Sequence, residues 1–245
     1  MAGTVYVDRQ ISDKPGNLVA ADAEIEVQGE RCPYVGRGGM KLKRAIDQFH
    51  LSLDGLVAAD FGASTGGFTD CMLQEGAARV YAADVGYGQL DFRLRTDPRV
   101  VVMERVNIRY MEPVAIPEPV DLVTVDVSFI SLALILPVAD RILRDGGAVV
   151  CLVKPQFEAG RESVGKHGLV KDKKVHLAVL EKVEDIGISL GWRAEGATHS
   201  PMTGAKGNIE YLLLFRKTGA AGPGSEPLPL GEAVDAAHAE LGERG

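Results

Sequence analysis

Residues 56–69 read LVAADFGASTGGFT, and this stretch decides the fold. Its first half is a short, nearly unbroken apolar run of the kind that forms a strand buried on both faces. Its second half is a glycine-rich turn, and GGFTDCMLQEG (66–76) continues as a helix ending at Gly76. Glycine lets the backbone turn tightly and approach a ligand closely. The turn departs from the dinucleotide fingerprint, because Ser64 stands where a second glycine is required. Asp60, directly before the turn, repels a pyrophosphate and suits a cationic or amine-bearing ligand. A plain strand-to-helix turn is the bland alternative.

Outward from this stretch the same grammar repeats. ARVYAADVG (78–86), RVVVMERVN (99–107), VDLVTVDVS (120–128) and GGAVVCLVKP (146–155) read as strands. GGMKLKRAIDQFHL (38–51), SLALILPVADRIL (131–143) and KKVHLAVLEKVEDIGISLG (173–191) have helical length and apolar spacing. GWRAEGATHSP (191–201) and NIEYLLLFRK (208–217) close the region as a strand pair. Apolar strands separated by helices predict an α/β fold with a mostly parallel sheet covered on both faces. Three regions are expected: a small β segment over 1–33, with strands in TVYVDRQ and EIEVQG; the α/β domain over 34–217; and a flexible C-terminal tail over 218–245. The tail opens with a Gly/Pro-rich linker and ends in EAVDAAHAELGE, a short helix or a solvated segment.

Composition narrows the class. The chain has 245 residues, 46% hydrophobic and 25% charged, which excludes a disordered or collagenous protein. Its three cysteines (Cys32, Cys71, Cys151) form no CxxC pair and the five histidines no metal-ligand spacing. No metal site and no disulfide framework is expected, and a reducing cytoplasmic compartment fits. The longest apolar stretch, about residues 130–139, falls short of the roughly 20 residues a membrane span needs, and no signal peptide is visible. The net charge of −7 argues against nucleic acid only as a total. From Thr218 onward five acids stand against one base, whereas residues 161–176 carry Arg161, Lys166, Lys171, Lys173 and Lys174 against two acids. That segment reads either as a basic face for RNA phosphates or as a solvated face.

In a parallel sheet, ligands lie beyond the carboxyl ends of the strands. Asp84 ends the second strand about 20 residues past the glycines, where an acid can bond ribose hydroxyls or cap a helix. The third strand runs into Asn107, an adenine contact or a plain turn residue. The fourth ends at Asp126 between two valines, and a buried carboxylate needs a cation nearby. The fifth ends at Lys154, a candidate base or a lysine that snorkels to solvent. Lys41 opens the first helix and Glu210 precedes Tyr211 in the last strand. Singly these are ordinary surface charges; the order Lys-Asp-Lys-Glu over four elements is far more specific.

These stretches resemble the FtsJ-like (RrmJ-type) ribose 2′-O-methyltransferases, and more closely the TlyA family, whose members carry haemolysin as well as ribosomal RNA methyltransferase names. The resemblance rests on YVGRGGMKL, DFGASTGGFTD, DVGYGQLDFRLR, DVSFISL, VKPQFEAGRE, GKHGLVKD and SPMTGAKGNIEYLL, across most of the chain. It implies a Rossmann-like fold with a mostly parallel seven-stranded sheet, S-adenosyl-L-methionine as methyl donor, and a cytidine ribose of ribosomal RNA or ribosomal subunits as acceptor. It places Asp60, Gly62, Ala63, Ser64, Gly66, Gly67, Phe68, Asp84, Asn107 and Asp126 around the donor. It makes Lys41, Asp126, Lys154 and Glu210 the catalytic set, with Lys154 as candidate general base. It likens AGTVYVDRQISDKPGNLVAADAEIEV to the second half of an S4-type RNA-binding domain, with the two helices expected upstream absent.

A lysine at its ordinary pKa of about 10.4 is a weak base at neutral pH, so burial and a neighbouring ammonium are expected to favour its neutral form. Three rival readings are a haemolysin, a nicotinamide-dependent oxidoreductase and a non-catalytic RNA-binding or assembly factor. The first lacks apolar membrane-facing segments, the second lacks the glycine fingerprint, and the intact Lys-Asp-Lys-Glu order argues against the third.

Overall fold

The structure, a computed structural model, describes residues 5–12, 16–28, 32–218 and 227–242. The chain divides into two units, Met1–Pro33 and Tyr34–Gly245. In the first, strands β1 (Val5–Val7), β2 (Gln10–Ile11) and β3 (Ile25–Val27) form an antiparallel sheet in the order β2-β1-β3. TVYVDRQ is therefore not one strand. Asp8 and Arg9 both take positive φ (50° and 67°), giving the two-residue turn that reverses β1 into β2. Residues 2–4 and 13–15 of the S4-like stretch lie outside the described residues.

The second unit holds α1 (Gly38–Gln48), β4 (Val57–Phe61), α2 (Gly67–Gln74), β5 (Arg79–Ala83), α3 (Phe92–Arg95), β6 (Val100–Met103) and β7 (Val120–Val125). It continues with α4 (Leu136–Ile142), β8 (Leu143–Val153), α5 (Pro155–Glu158), α6 (Lys173–Ser189), β9 (Trp192–His199), β10 (Tyr211–Lys217) and α7 (Leu230–Leu241). The strands form one seven-stranded sheet in the order β6-β5-β4-β7-β8-β10-β9. The first five run parallel, and β10 inserts antiparallel between β8 and β9. The order reverses at β4, and its neighbours β5 and β7 flank it on either side, which is where such folds bind ligands.

Period-two alternation divides the core into two faces. Ala58, Val80, Leu122, Val150, Leu152, Leu212 and Leu214 pack against Leu42, Ile46, Phe68 and Met72 of α1 and α2. Phe61, Val123, Val125, Cys151, Val153, Leu213 and Phe215 pack against α4, α6 and α7. Each fully buried Leu, Val or Phe contributes on the order of 1.5–3 kcal/mol, so the sheet is held from both sides.

One helical expectation needs correction. The helix read over 131–143 is a 3-10 turn over Leu132–Leu134 followed by α4, because Pro137 lacks the N–H that would continue a helix and instead sits in its first turn. Of the two readings left open for the end of the tail, the structure has the helix, over Leu230–Leu241: Leu230, Ala233, Val234, Ala237 and Leu241 recur at helical spacing and are buried in the core shared with α6 and β9. Its His238 Nε2 lies 3.0 Å from Nδ1 of buried His176, whose Nδ1 is 2.7 Å from Tyr211 Oη. Burial lowers the pKa of both imidazoles. The Gly/Pro-rich linker at 219–226 lies outside the described residues.

Candidate active site

Strand β4 ends at Phe61, and the next five residues turn into α2. Gly62 has φ +88°, and a Cβ there would stand 2.5 Å from the carbonyl oxygen of Asp126. Only glycine therefore lets the β4 turn close against the end of β7. The amides of Gly62 and Ala63 both donate to the Ala83 carbonyl, at 2.9 and 3.2 Å, tying the turn to the end of β5. Asp84 completes the arrangement. Its Oδ2 accepts from the Ser64 amide at 2.9 Å and its Oδ1 from the Gly86 amide at 2.7 Å.

Two cavities share Gly62, Ser64 and Asp126. The smaller, about 220 Å³, is lined by Arg37, Lys41, Ala63, Thr65, Gly67, Phe68 and the loop 202–204. The larger, about 480 Å³, is lined by Asp84, Gln89, Asn107, Val127, Phe129 and Ile130 among others. A further cavity of about 470 Å³ around Phe49, Asp121, Arg144 and Arg216 lies at the opposite end of the sheet, and none of the expected site residues lines it.

Two lysine–carboxylate pairs form at the first two cavities. Lys154 Nζ lies 2.5 Å from Asp126 Oδ1 and donates to Ser128 Oγ at 2.9 Å. Lys41 Nζ donates to Glu210 Oε2 at 2.6 Å. Lys154 is 8% exposed and Glu210 2%, so both pairs are largely shielded from water. Charge pairs in such places hold firm geometry, and removing one partner leaves a costly buried charge. Lys41 and Asp126 line the same small cavity. The four residues thus come from α1, the end of β7, the end of β8 and the segment before β10, since the last strand starts at Tyr211 rather than at Asn208.

Two expected donor contacts point elsewhere. Asp60 is fully buried and lines neither cavity; its carboxylate accepts from Thr69 Oγ1 at 2.6 Å and Thr124 Oγ1 at 3.1 Å. It lies inside β4, so its side chain projects from the sheet face instead of the strand tip. Gly66 is likewise a packing residue: a Cβ at its φ of +98° would collide with Leu94, 2.2 Å away. Asn107 reaches the larger cavity, and its Oδ1 also accepts from the Arg109 amide at 3.2 Å.

Burial pushes the Asp60 carboxyl up to about 7; the hydrogen bonds from Thr69 and Thr124 pull it back, and the Asp126 charge adds to the rise. Between an unfolded value of about 3.9 and this one, the native state binds the extra proton, so stability falls as pH rises through that window. Asp60→Asn is expected to flatten this dependence between about pH 4 and 7 and to raise neutral-pH stability, as denaturant titration at several pH values would record.

Sequence reasoning missed Ser128, Arg37 and the loop 202–204. Ser128 was accessible, because a residue two beyond Asp126 projects to the same side of an extended chain. The loop was not, since it reaches the cavity through tertiary packing alone. Arg161, Lys166, Lys171, Lys173 and Lys174 are all exposed, on two 3-10 turns, the loop that follows them and the start of α6. Lys173 is already paired with Asp235 of α7 at 2.6 Å.

A mostly parallel seven-stranded sheet with a glycine turn at its reversal point and an acid at the neighbouring strand end is the fold of an S-adenosylmethionine-dependent methyltransferase. The chain belongs to the FtsJ-like methyltransferase family, whose model matches residues 34–217. It is 45% identical over 217 residues to the 16S/23S rRNA (cytidine-2′-O)-methyltransferase TlyA of Mycobacterium tuberculosis, covering 88% of this chain and 81% of that protein. It is 41% identical to Hemolysin A of Brachyspira hyodysenteriae, covering 88% and 90%. The solved structure "Putative hemolysin from Streptococcus thermophilus" superposes with a TM-score of 0.88 at 46% identity, covering 100% of this chain and 89% of that one. Among the described residues no helix is long and apolar enough to cross a membrane.

Proposed function

We propose that this chain methylates the ribose 2′-hydroxyl of a cytidine in ribosomal RNA, and that it acts in the cytoplasm. The observation that carries the reading is the pairing of Lys154 with Asp126 and of Lys41 with Glu210 beside one cavity. The RNA substrate is supported by the name of the mycobacterial relative.

The residues present fit the donor. Gly62 lets the turn close against Asp126, and the two together line both cavities. The smaller cavity offers Arg37 and the start of α2 to a charged amino acid portion, and the larger offers Asp84 to a ribose and Asn107 with Ile130 to a base. When bound, the donor would supply a sulfonium-borne methyl group as electrophile for the hydroxyl oxygen, the sulfur keeping the electrons of the broken bond.

Lys154 Nζ is the group placed to take up the hydroxyl proton. Asp126 Oδ1 and Ser128 Oγ then hold the resulting ammonium as the short pair and hydrogen bond already described. Lys41 and Glu210 fix the other side of the cavity and orient the acceptor. Positioning and proton transfer each contribute, the second typically about 10²- to 10⁴-fold. The exposed bases Arg161, Lys166, Lys171 and Lys174 contact RNA phosphates. The small sheet of β1–β3 is an additional RNA-contacting surface.

The test incubates the full chain with methyl-labelled S-adenosylmethionine and separated, unmethylated ribosomal subunits. Label in RNA is the expected result, and it names the subunit. Donor binding without transfer to either subunit would contradict the RNA substrate.

A further inference from the structure

Glu158 ends α5, the single turn that starts one residue after Lys154, and only 6% of it is exposed. A carboxylate withdrawn from water in this way is retained only with strong partners. Its Oε1 accepts from the Leu132 amide at 2.6 Å and its Oε2 from Ser131 Oγ at 2.7 Å. The half-exposed Lys182 adds a looser contact to Oε2 at 3.4 Å and donates to the Glu158 main-chain carbonyl at 2.9 Å.

Both close partners belong to the loop that leaves β7, the same loop that carries Asp126 and Ser128. Three side chains of one short segment therefore grip that loop in succession. Lys154 holds residues 126 and 128, the Phe157 ring packs on Phe129 with centroids 4.9 Å apart, and Glu158 holds residues 131 and 132. The loop needs holding. Phe129 has φ +64° and is 90% exposed, a conformation that a bulky residue keeps only when its surroundings impose it.

We propose that Glu158 is a positioning residue for methyl transfer, a latch that fixes the Asp126–Ser128 side of the site against Lys154. The latch sets where the proton acceptor stands relative to the acceptor hydroxyl, so it rests on the function proposed above. It also fixes Val127, Ser128, Phe129 and Ile130 as one wall of the larger cavity.

The test compares Glu158→Gln, Ser131→Ala and Lys182→Met in the full chain. It reads kcat and KM for subunit methylation, donor affinity by calorimetry and amide hydrogen exchange at residues 127–133. For Glu158→Gln, kcat is expected to fall roughly 10- to 100-fold, the size of effect a small misplacement of reacting groups produces, with donor affinity changed far less. Exchange at 127–133 rises while β7 and β8 stay protected, a pattern that general destabilisation does not give. Ser131→Ala follows in the same direction with a smaller loss, and it tests the latch from the loop side if Glu158→Gln fails to fold. Lys182→Met stays near the wild-type rate. Wild-type kcat and wild-type protection in both Glu158→Gln and Ser131→Ala would overturn the latch, as would an equal loss in Lys182→Met. If the wild-type chain transfers no methyl group, the proposed function fails, and the exchange measurement still decides whether Glu158 holds the loop.

Discussion

Lys154→Ala is expected to lower methyl transfer by about 10³-fold or more while S-adenosylmethionine still binds within a few-fold of the wild-type affinity. The separation follows from the geometry. Lys154 touches Asp126 and Ser128, yet lines neither of the two cavities assigned to the donor. Removing it takes away the proposed proton acceptor and leaves the Asp126 carboxylate without its paired lysine. That carboxylate is partly open to solvent, so its release is tolerated better than it would be in a sealed core. Single-turnover transfer measured beside calorimetric donor binding checks both halves. A variant with full transfer, or one that loses donor binding as severely as transfer, contradicts the assignment. Lys154→Arg is a sharper probe: it keeps a cation for Asp126 but cannot accept a proton at neutral pH, so it is expected to stay inactive.

Gly62→Ala is expected to abolish measurable donor binding and to cost roughly 2–4 kcal/mol of stability, the sum of left-handed backbone strain and overpacking. The added Cβ meets the Asp126 carbonyl oxygen at 2.5 Å, its carbon at 2.9 Å and the Val127 nitrogen at 3.2 Å. All three atoms are backbone, so no rotamer change relieves the collision. The turn must lift from the end of β7, and both cavities share that corner. Gly55 supplies the control. It also has positive φ, +72°, but a Cβ there meets nothing within 4 Å. Gly55→Ala is expected to cost about 1 kcal/mol and leave donor binding unchanged. Equal behaviour of the two variants in thermal unfolding and calorimetry would mean that strain alone, and not the approach to Asp126, explains Gly62.

Much of this was legible in the sequence, for identifiable reasons. The parallel strands announce themselves because both faces are covered, so apolar residues dominate 120–125 and run without interruption through 148–153. The strand-end residues Asp84, Asp126 and Lys154 stand out because polar groups interrupt those runs at their carboxyl ends. Lys41 and Glu210 were reached only through the order of the whole set, and the structure joins them at 2.6 Å across a separation of 169 residues.

The failures are equally physical. Asp60 sits beside the glycine turn in sequence, but pleating aims it into the space between β4 and α2, where Thr69 waits. Its period-two relation to Ala58, on the same face, carried that information. Helix α7 was readable only as one of two alternatives; its apolar positions include small alanines, which reveal burial only once α6 and β9 are in place. Glu158 gave no signal, because a glutamate four residues past Lys154 looks like any helix-turn acid until the loop from β7 is folded over it.

The central claim is a reaction at a ribose oxygen, and nucleoside mass spectrometry tests it most directly. Ribosomal RNA from subunits incubated with the chain and S-adenosylmethionine is digested to nucleosides and compared with the same RNA treated with Lys154→Ala. 2′-O-methylcytidine is expected in the wild-type digest and not in the variant's. A base-methylated nucleoside, or 2′-O-methylcytidine formed equally by Lys154→Ala, would contradict the claim.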